Sequence, residues 1–144
     1  MRVSLQNLLK IGQLKEHLPD KEEIGRLLAA AQRGLADARA KTISAETRFD
    51  AAYRAITQVG LAALMAQGFR PDTNRPGHHV TIIQTLALTL GVEGRRLAVL
   101  DTLRRKRNLA DYTGEDIDDA SAAACIEQAE RLLREARDRI GHRK

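Results

Sequence analysis

Residues 104–112 read RRKRNLADY, and five side chains in that stretch carry chemistry: Arg104, Arg107, Asn108, Asp111 and Tyr112. A guanidinium grips phosphate oxygens in a two-pronged fork and stabilises charge that builds on them. A carboxylate or phenol one turn away supplies a proton acceptor or donor. Helical spacing decides which of these act together. Leu100, Leu103 and Ala110 fall on the same helix face as Arg107, so this guanidinium stands in line with an apolar stripe. Arg105 and Lys106 point elsewhere, so the basic run at 104–107 is not one surface patch. An arginine withdrawn from water without a partner is costly. Two arrangements meet that cost: an ion pair with Asp111, or a cleft or subunit seam in which an anion serves as partner.

His78 and His79 are the other candidates. Adjacent residues on a regular helix cannot both face one metal ion, and no cysteine or carboxylate stands at ligand spacing from them, so no metal site is expected. At the start of a helix either ring can instead touch a bound anion. Arg70 and Arg75 flank the adjoining loop and are positioned to add phosphate contacts, while His17 and His142 read as incidental. Cys125 lies among alanines and reads as packing. No phosphate-binding glycine loop, nucleophile elbow or Walker motif occurs, and no cofactor is expected.

The elements that must hold these residues are helical. Ala, Leu, Arg, Glu and Gln dominate, and no run alternates in the manner of a strand. Ser4 caps a first helix expected over 4–18, broken by Pro19. Asp20 opens a second over 20–40, with Glu23 placed for a capping box. Ser44 opens a third over 44–67, ended by Gly68. Residues 69–77, with Pro71, Asn74, Pro76 and Gly77, form the one substantial loop. Further helices are expected over 78–90 and 93–111, and from about 116 to 140. The fold class is therefore all-α. The short loops predict an up-down antiparallel four-helix bundle over 44–140, with residues 1–43 as an N-terminal helical hairpin or extension of one compact domain.

With one cysteine the chain cannot form an internal disulfide, which fits a reducing compartment. No stretch approaches the ~20 apolar residues of a membrane span, and no signal-peptide pattern opens the chain, so a cytoplasmic protein is expected. Net charge is +5. That balance favours an anionic partner such as nucleic acid, although arginines and glutamates on solvated helix faces produce a similar figure.

The order of a helix bearing SAETRFDAAYRAI, a Pro/Gly loop with GHH, an apolar helix and then LRRKRNLADY resembles the HEPN superfamily over roughly residues 44–140. Among its members the chain looks most like small prokaryotic ones with an Arg-x-x-Ala-Asp-Tyr signature. The resemblance implies a helical bundle that dimerises and acts on or binds RNA. It further implies either a toxin–antitoxin component with metal-independent endoribonuclease activity, or a non-catalytic module for a nucleotide or a protein partner. Such a partner would be a nucleotidyltransferase, an antitoxin or a cognate toxin. The family's motif arginine falls on Arg107, its following polar residue on Asn108, and Arg104 adds a second phosphate contact. The family's motif histidine belongs at 112–114, where Tyr112 stands instead. Tyrosine ionises near pH 10 and is a poor base near neutrality, which leaves Asp111 as the other candidate for that role.

Overall fold

The computed structural model describes residues 4–141, so His142 lies outside the described residues. The chain is mostly helical, as its composition predicts. It runs α1 (Leu5–Lys10), β1 (Leu14–Glu16), α2 (Lys21–Ala38), α3 (Ala45–Ala66), β2 (Phe69–Pro71), α4 (His78–Gln84), α5 (Leu86–Thr89), α6 (Gly94–Thr113) and α7 (Asp119–Ala136), closing in a π-helical turn at Arg137–Gly141. Among the described residues no helix is long and apolar enough to cross a membrane.

Ser4 and Ser44 cap as expected, accepting from the amides of Asn7 and Thr47 at 3.1 Å each. The last helix, expected from about 116, is capped by Asp118, which accepts from the Ser121 amide at 2.8 Å. Asp20 caps α2 by accepting from the amides of Glu22 and Glu23. The reciprocal half of the capping box does not form, because the Glu23 carboxylate turns to the His17 ring, 2.5 Å away. His17 is therefore not incidental.

The expected first helix is shorter than its cap and leucines suggest. It stops at Lys10, and Gly12 at φ +80° sends the chain into β1. A side chain at Gly12 would be strained at that φ and would meet the Arg75 guanidinium 2.9 Å away. Strand β1 pairs antiparallel with β2, Leu14 opposite Pro71 and Glu16 opposite Phe69. Leu14 enters a small apolar cluster with Leu64, Phe69 and Ile82, while Leu18 is left in water. Residues 69–71 are thus strand and not loop. The expected helix over 78–90 is likewise interrupted at Thr85, whose hydroxyl donates to the Ile82 carbonyl at 3.0 Å.

The main core joins α2, α3 and α7. Ile24, Leu28, Ala31, Leu35 and Ala38 of α2 bury against α3, whose buried face includes Phe49, Ala52, Tyr53, Ile56 and Val59. Ala122, Cys125, Ile126, Ala129, Leu133 and Ala136 of α7 complete it. The alanines at these contacts let backbones approach closely: a Cβ on Gly34 of α2 would lie 3.4 Å from the Ala51 carbonyl of α3. Helix α2 runs antiparallel to α7, since Gln32 meets Arg137 and Arg39 meets Glu130. The most extensive helix pairings are therefore α2 with α3 and α3 with α7, and α2 is part of the same core. Helix α6 buries little of itself: Arg96, Leu100 and Leu103. Its charged, weakly amphipathic sequence has a narrow apolar stripe, so it lies along the core's edge with one flank free.

Candidate functional site

Tyr53 is the hub of the site. Its ring sits in the apolar stripe of α3, almost fully buried, and stacks parallel to Phe49 at 6.5 Å between centroids. A buried phenol needs a partner for its hydroxyl. Here the oxygen faces Nδ1 of His79 at 3.5 Å, a long contact, and the two rings lie 6.0 Å apart. From α6 the Arg107 guanidinium lies over the Tyr53 ring, its carbon 5.0 Å from the centroid. The positive charge meets the electron-rich face of the ring. His78 packs edge-on to His79, 4.7 Å between centroids. Three helices thus deliver one guanidinium, one phenol and two imidazoles to one place.

The close approach of α4 to α3 makes this possible. Gly60 sits at the crossing, where an added Cβ would come within 2.5 Å of the Ile82 Cγ2 methyl. Any larger residue would push α4, and His79 with it, away from Tyr53.

The electrostatics follow from burial and from the arginines. Burial, chiefly, and then His78, Arg107 and Arg104 hold the His79 imidazole below its ordinary value, so it is neutral at pH 7. Burial pushes the Tyr53 phenol up to about 12 against the pull of Arg107 and Arg104, so it stays protonated. Asp50, one turn before Tyr53, is raised by desolvation; Arg107 opposes that shift and Asp111 adds to it. Asp50 therefore senses both α6 charges, yet the Arg107 guanidinium makes no ion pair or hydrogen bond among the described residues.

The candidates named from the sequence fare differently. Arg107 is half-buried over Tyr53, and of the two arrangements open to it the ion pair with Asp111 is not formed. Arg104 is half-buried and donates from Nε to Asp101 Oδ1 at 2.9 Å, while Arg105 reaches Oδ2 of the same carboxylate. His78 and His79 come into the site. Asn108 and Asp111 are exposed, and Tyr112 is 89% exposed, away from the Tyr53 hub. Spacing within α3 does not mark Asp50 as part of the site. It does mark Tyr53, because a hydroxyl in an apolar stripe must find a polar neighbour.

Beside the histidines opens a cleft of about 310 Å3, with Leu61, Met65, Pro71 and Ile82 as its apolar wall. Thr57, Gln58 and Arg70 supply polar groups to it, and His78 and His79 belong to both its lining and the site. Arg75 lies apart, against Gly12. Among the described residues no three His, Cys, Asp or Glu side chains converge as a metal site. Cys125 is buried, its thiol pushed up to about 12 and directed at the Phe49 carbonyl 3.7 Å away, which is packing and not chemistry. Comparison with family models, with curated proteins and with solved structures gives no match to this chain.

Proposed function

We propose that this chain is a HEPN-type RNA-directed protein, a cytoplasmic homodimer whose bundle carries a metal-independent endoribonuclease site, and that His79 supplies the base that residues 112–114 lack. The observation that carries the reading is the stack of Arg107 over Tyr53 with His79 at the phenol's edge. In-line RNA cleavage needs a base for the 2′-hydroxyl and a cation for the phosphorane oxygens. A neutral imidazole near a guanidinium fits those two roles. With Nδ1–H donating to the Tyr53 oxygen, Nε2 keeps its lone pair for the 2′-hydroxyl proton. The O2′–P bond forms and the P–O5′ bond breaks, leaving a 2′,3′-cyclic phosphate; the departing 5′-oxygen takes a proton from water, and the proton held on His79 returns to solvent. Arg107 faces the phosphate, with Arg104 behind it, and the neighbouring nucleoside fits the cleft lined by Leu61 and Gln58. Dimerisation brings a second Arg107 toward the same phosphate. In this reading Tyr112, Asn108 and Asp111 form an outward face suited to a protein partner such as a nucleotidyltransferase or antitoxin.

The test is incubation of the purified protein with total RNA in excess chelator, beside His79→Ala. Wild type should leave cyclic phosphate ends, and the variant should be slower by roughly a hundredfold or more. Equal cleavage by both would remove His79 from the mechanism. No cleavage by either would leave a non-catalytic module that binds a nucleotide or a protein partner.

A further inference from the structure

A second cleft, of about 850 Å3, opens on the other end of the core, between the start of α2, the end of α3 and the π-helical turn. It is about 15 Å along α3 from the Tyr53 hub, counting Tyr53 to Ala63 at the helical rise. Its volume lies in the range of small-molecule sites. Ile24, Leu28, Ala63, Leu90 and Ile140 give it an apolar floor. Lys21, Arg137 and Arg139 stand around it, and Asp138 is the one acidic residue of the lining. None of those three cations pairs with a carboxylate among the described residues: Arg137 donates to the Gln32 amide oxygen, and Arg139 Nη1 to the Thr89 carbonyl at 3.5 Å.

Two further features suggest a built site. Gly25 lies inside α2 on the wall of the cleft, where a Cβ would meet nothing within 4 Å. Glycine inside a helix costs stability relative to alanine, and no packing within the chain requires it there. The second feature is the π-helical turn itself, a rare geometry that recurs at functional sites. It brings Arg139 across Gly91, where a side chain would come within 3.0 Å of Nη2. Gly25 thus leaves room in the cleft; Gly91, whose φ of +68° itself calls for glycine, also clears the path of the Arg139 guanidinium.

We infer that this cleft binds a small amphipathic anion, an apolar chain or ring joined to a phosphate or carboxylate. The apolar part lies on the floor between Ile24 and Leu90, and the anion meets Arg139 and Lys21. The site is independent of the RNA-directed reading.

Calorimetric titration of the full chain with monomeric octyl phosphate, octanol and inorganic phosphate tests it. Octyl phosphate should bind at least about tenfold more tightly than either fragment, a difference of ~1.4 kcal/mol. Gly25→Leu fills the cleft from a position with no neighbours, so it should abolish binding while the melting temperature holds or rises. Arg139→Gln, at an exposed position, should weaken octyl phosphate about tenfold or more and leave octanol unchanged. Octanol binding as tightly as octyl phosphate, or full affinity retained in Gly25→Leu and Arg139→Gln, would overturn the assignment. So would sedimentation with phosphatidylglycerol vesicles in the absence of any binding to the monomeric ligand.

Discussion

Replacing Arg107 separates a cation held for chemistry from one held for stability, because the two roles predict opposite patterns. The guanidinium has no carboxylate within ion-pair distance among the described residues, so Arg107→Ala strands no buried charge. Asp50, which senses it, and Asp111 are both exposed. What is lost is the contact with the Tyr53 ring, about 0.5–2 kcal/mol for such a pair, together with the packing of a half-buried aliphatic stem. The higher helix propensity of alanine offsets a few tenths of that. The net expectation is a loss of about 1 kcal/mol, or about 3 °C in melting temperature for a domain of this size. On the proposed mechanism the same change removes a stabilising donor from the transition state and slows RNA cleavage roughly a hundredfold to a thousandfold.

Both numbers come from one preparation: thermal unfolding by circular dichroism, and cleavage of a labelled RNA under single-turnover conditions. Arg107→Lys sharpens the reading. It keeps the charge but loses the planar fork and the stack, so it should fall between wild type and alanine in both assays. Two results would refute the reasoning. A stability loss of about 3–5 kcal/mol would be the signature of a broken buried pair. Cleavage within a factor of a few of wild type would mean the guanidinium does not face the phosphate.

Gly60→Ala should destabilise by about 1–3 kcal/mol through overpacking against Ile82, less the propensity gain of alanine; adding Ile82→Ala should relieve the clash, as denaturant midpoints would show. Arg96 and Glu135 should be unequal partners. Arg96 is almost buried and pairs through Nη1 with Glu135 Oε2 at 2.9 Å, while its Nη2 has no partner among the described residues. Glu135→Ala leaves a buried guanidinium with only the long contact from Nε to Gln128 Oε1 at 3.4 Å and should cost about 3–5 kcal/mol, whereas Arg96→Met should cost less, because the Glu135 side chain is part-exposed even though its Oε1 is buried without a partner among the described residues; thermal melts of the two variants decide this. Folding lowers the His79 pKa, so the unfolded chain binds more protons between that lowered value and about 6.5, and stability should rise with pH across that window. The raised Asp50 works in the opposite sense just above 3.8, where stability should fall as pH rises. Urea melts from pH 3.5 to 7.5 on wild type and His79→Gln should show the upper slope only in wild type.

Local features of this fold were open to reading, and long-range ones were not. Ser44, Asp118 and Gly114 mark helix ends through hydrogen bonds to residues three or four positions away, so type and spacing suffice. The stripe of α2 likewise announced its buried face. Its place in the core depended on alanines in three separate helices meeting one another, which no single helix reveals. Strand β1 is not legible in the sequence because Leu14 is buried by Leu64, Phe69 and Ile82, all at least fifty residues away. A three-residue strand carries no periodicity of its own. The same distinction runs through the site. Arg107 was legible because its line-up with Leu100 and Leu103 is a property of α6 alone. The pairing of His79 with Tyr53 joins positions 26 residues apart across a loop and two helices.

On the proposed function, that pairing bears on how a site can be assembled without the resembled motif's histidine. In the resembled motif the cation and the imidazole share one helix, so their separation follows from helical pitch. In the arrangement proposed here they come from α6 and α4, and their separation depends on tertiary packing. Gly60 sets how near α4 lies to α3, and the Tyr53 ring gives both groups a common support. Such a site should be more sensitive to packing changes than to changes on the face of α6 that carries the signature. Gly60→Ala, which touches no ionisable group, should therefore slow RNA cleavage more than Tyr112→Phe does. If Tyr112→Phe proves the more damaging, the phenol on α6 is the working group and His79 is not.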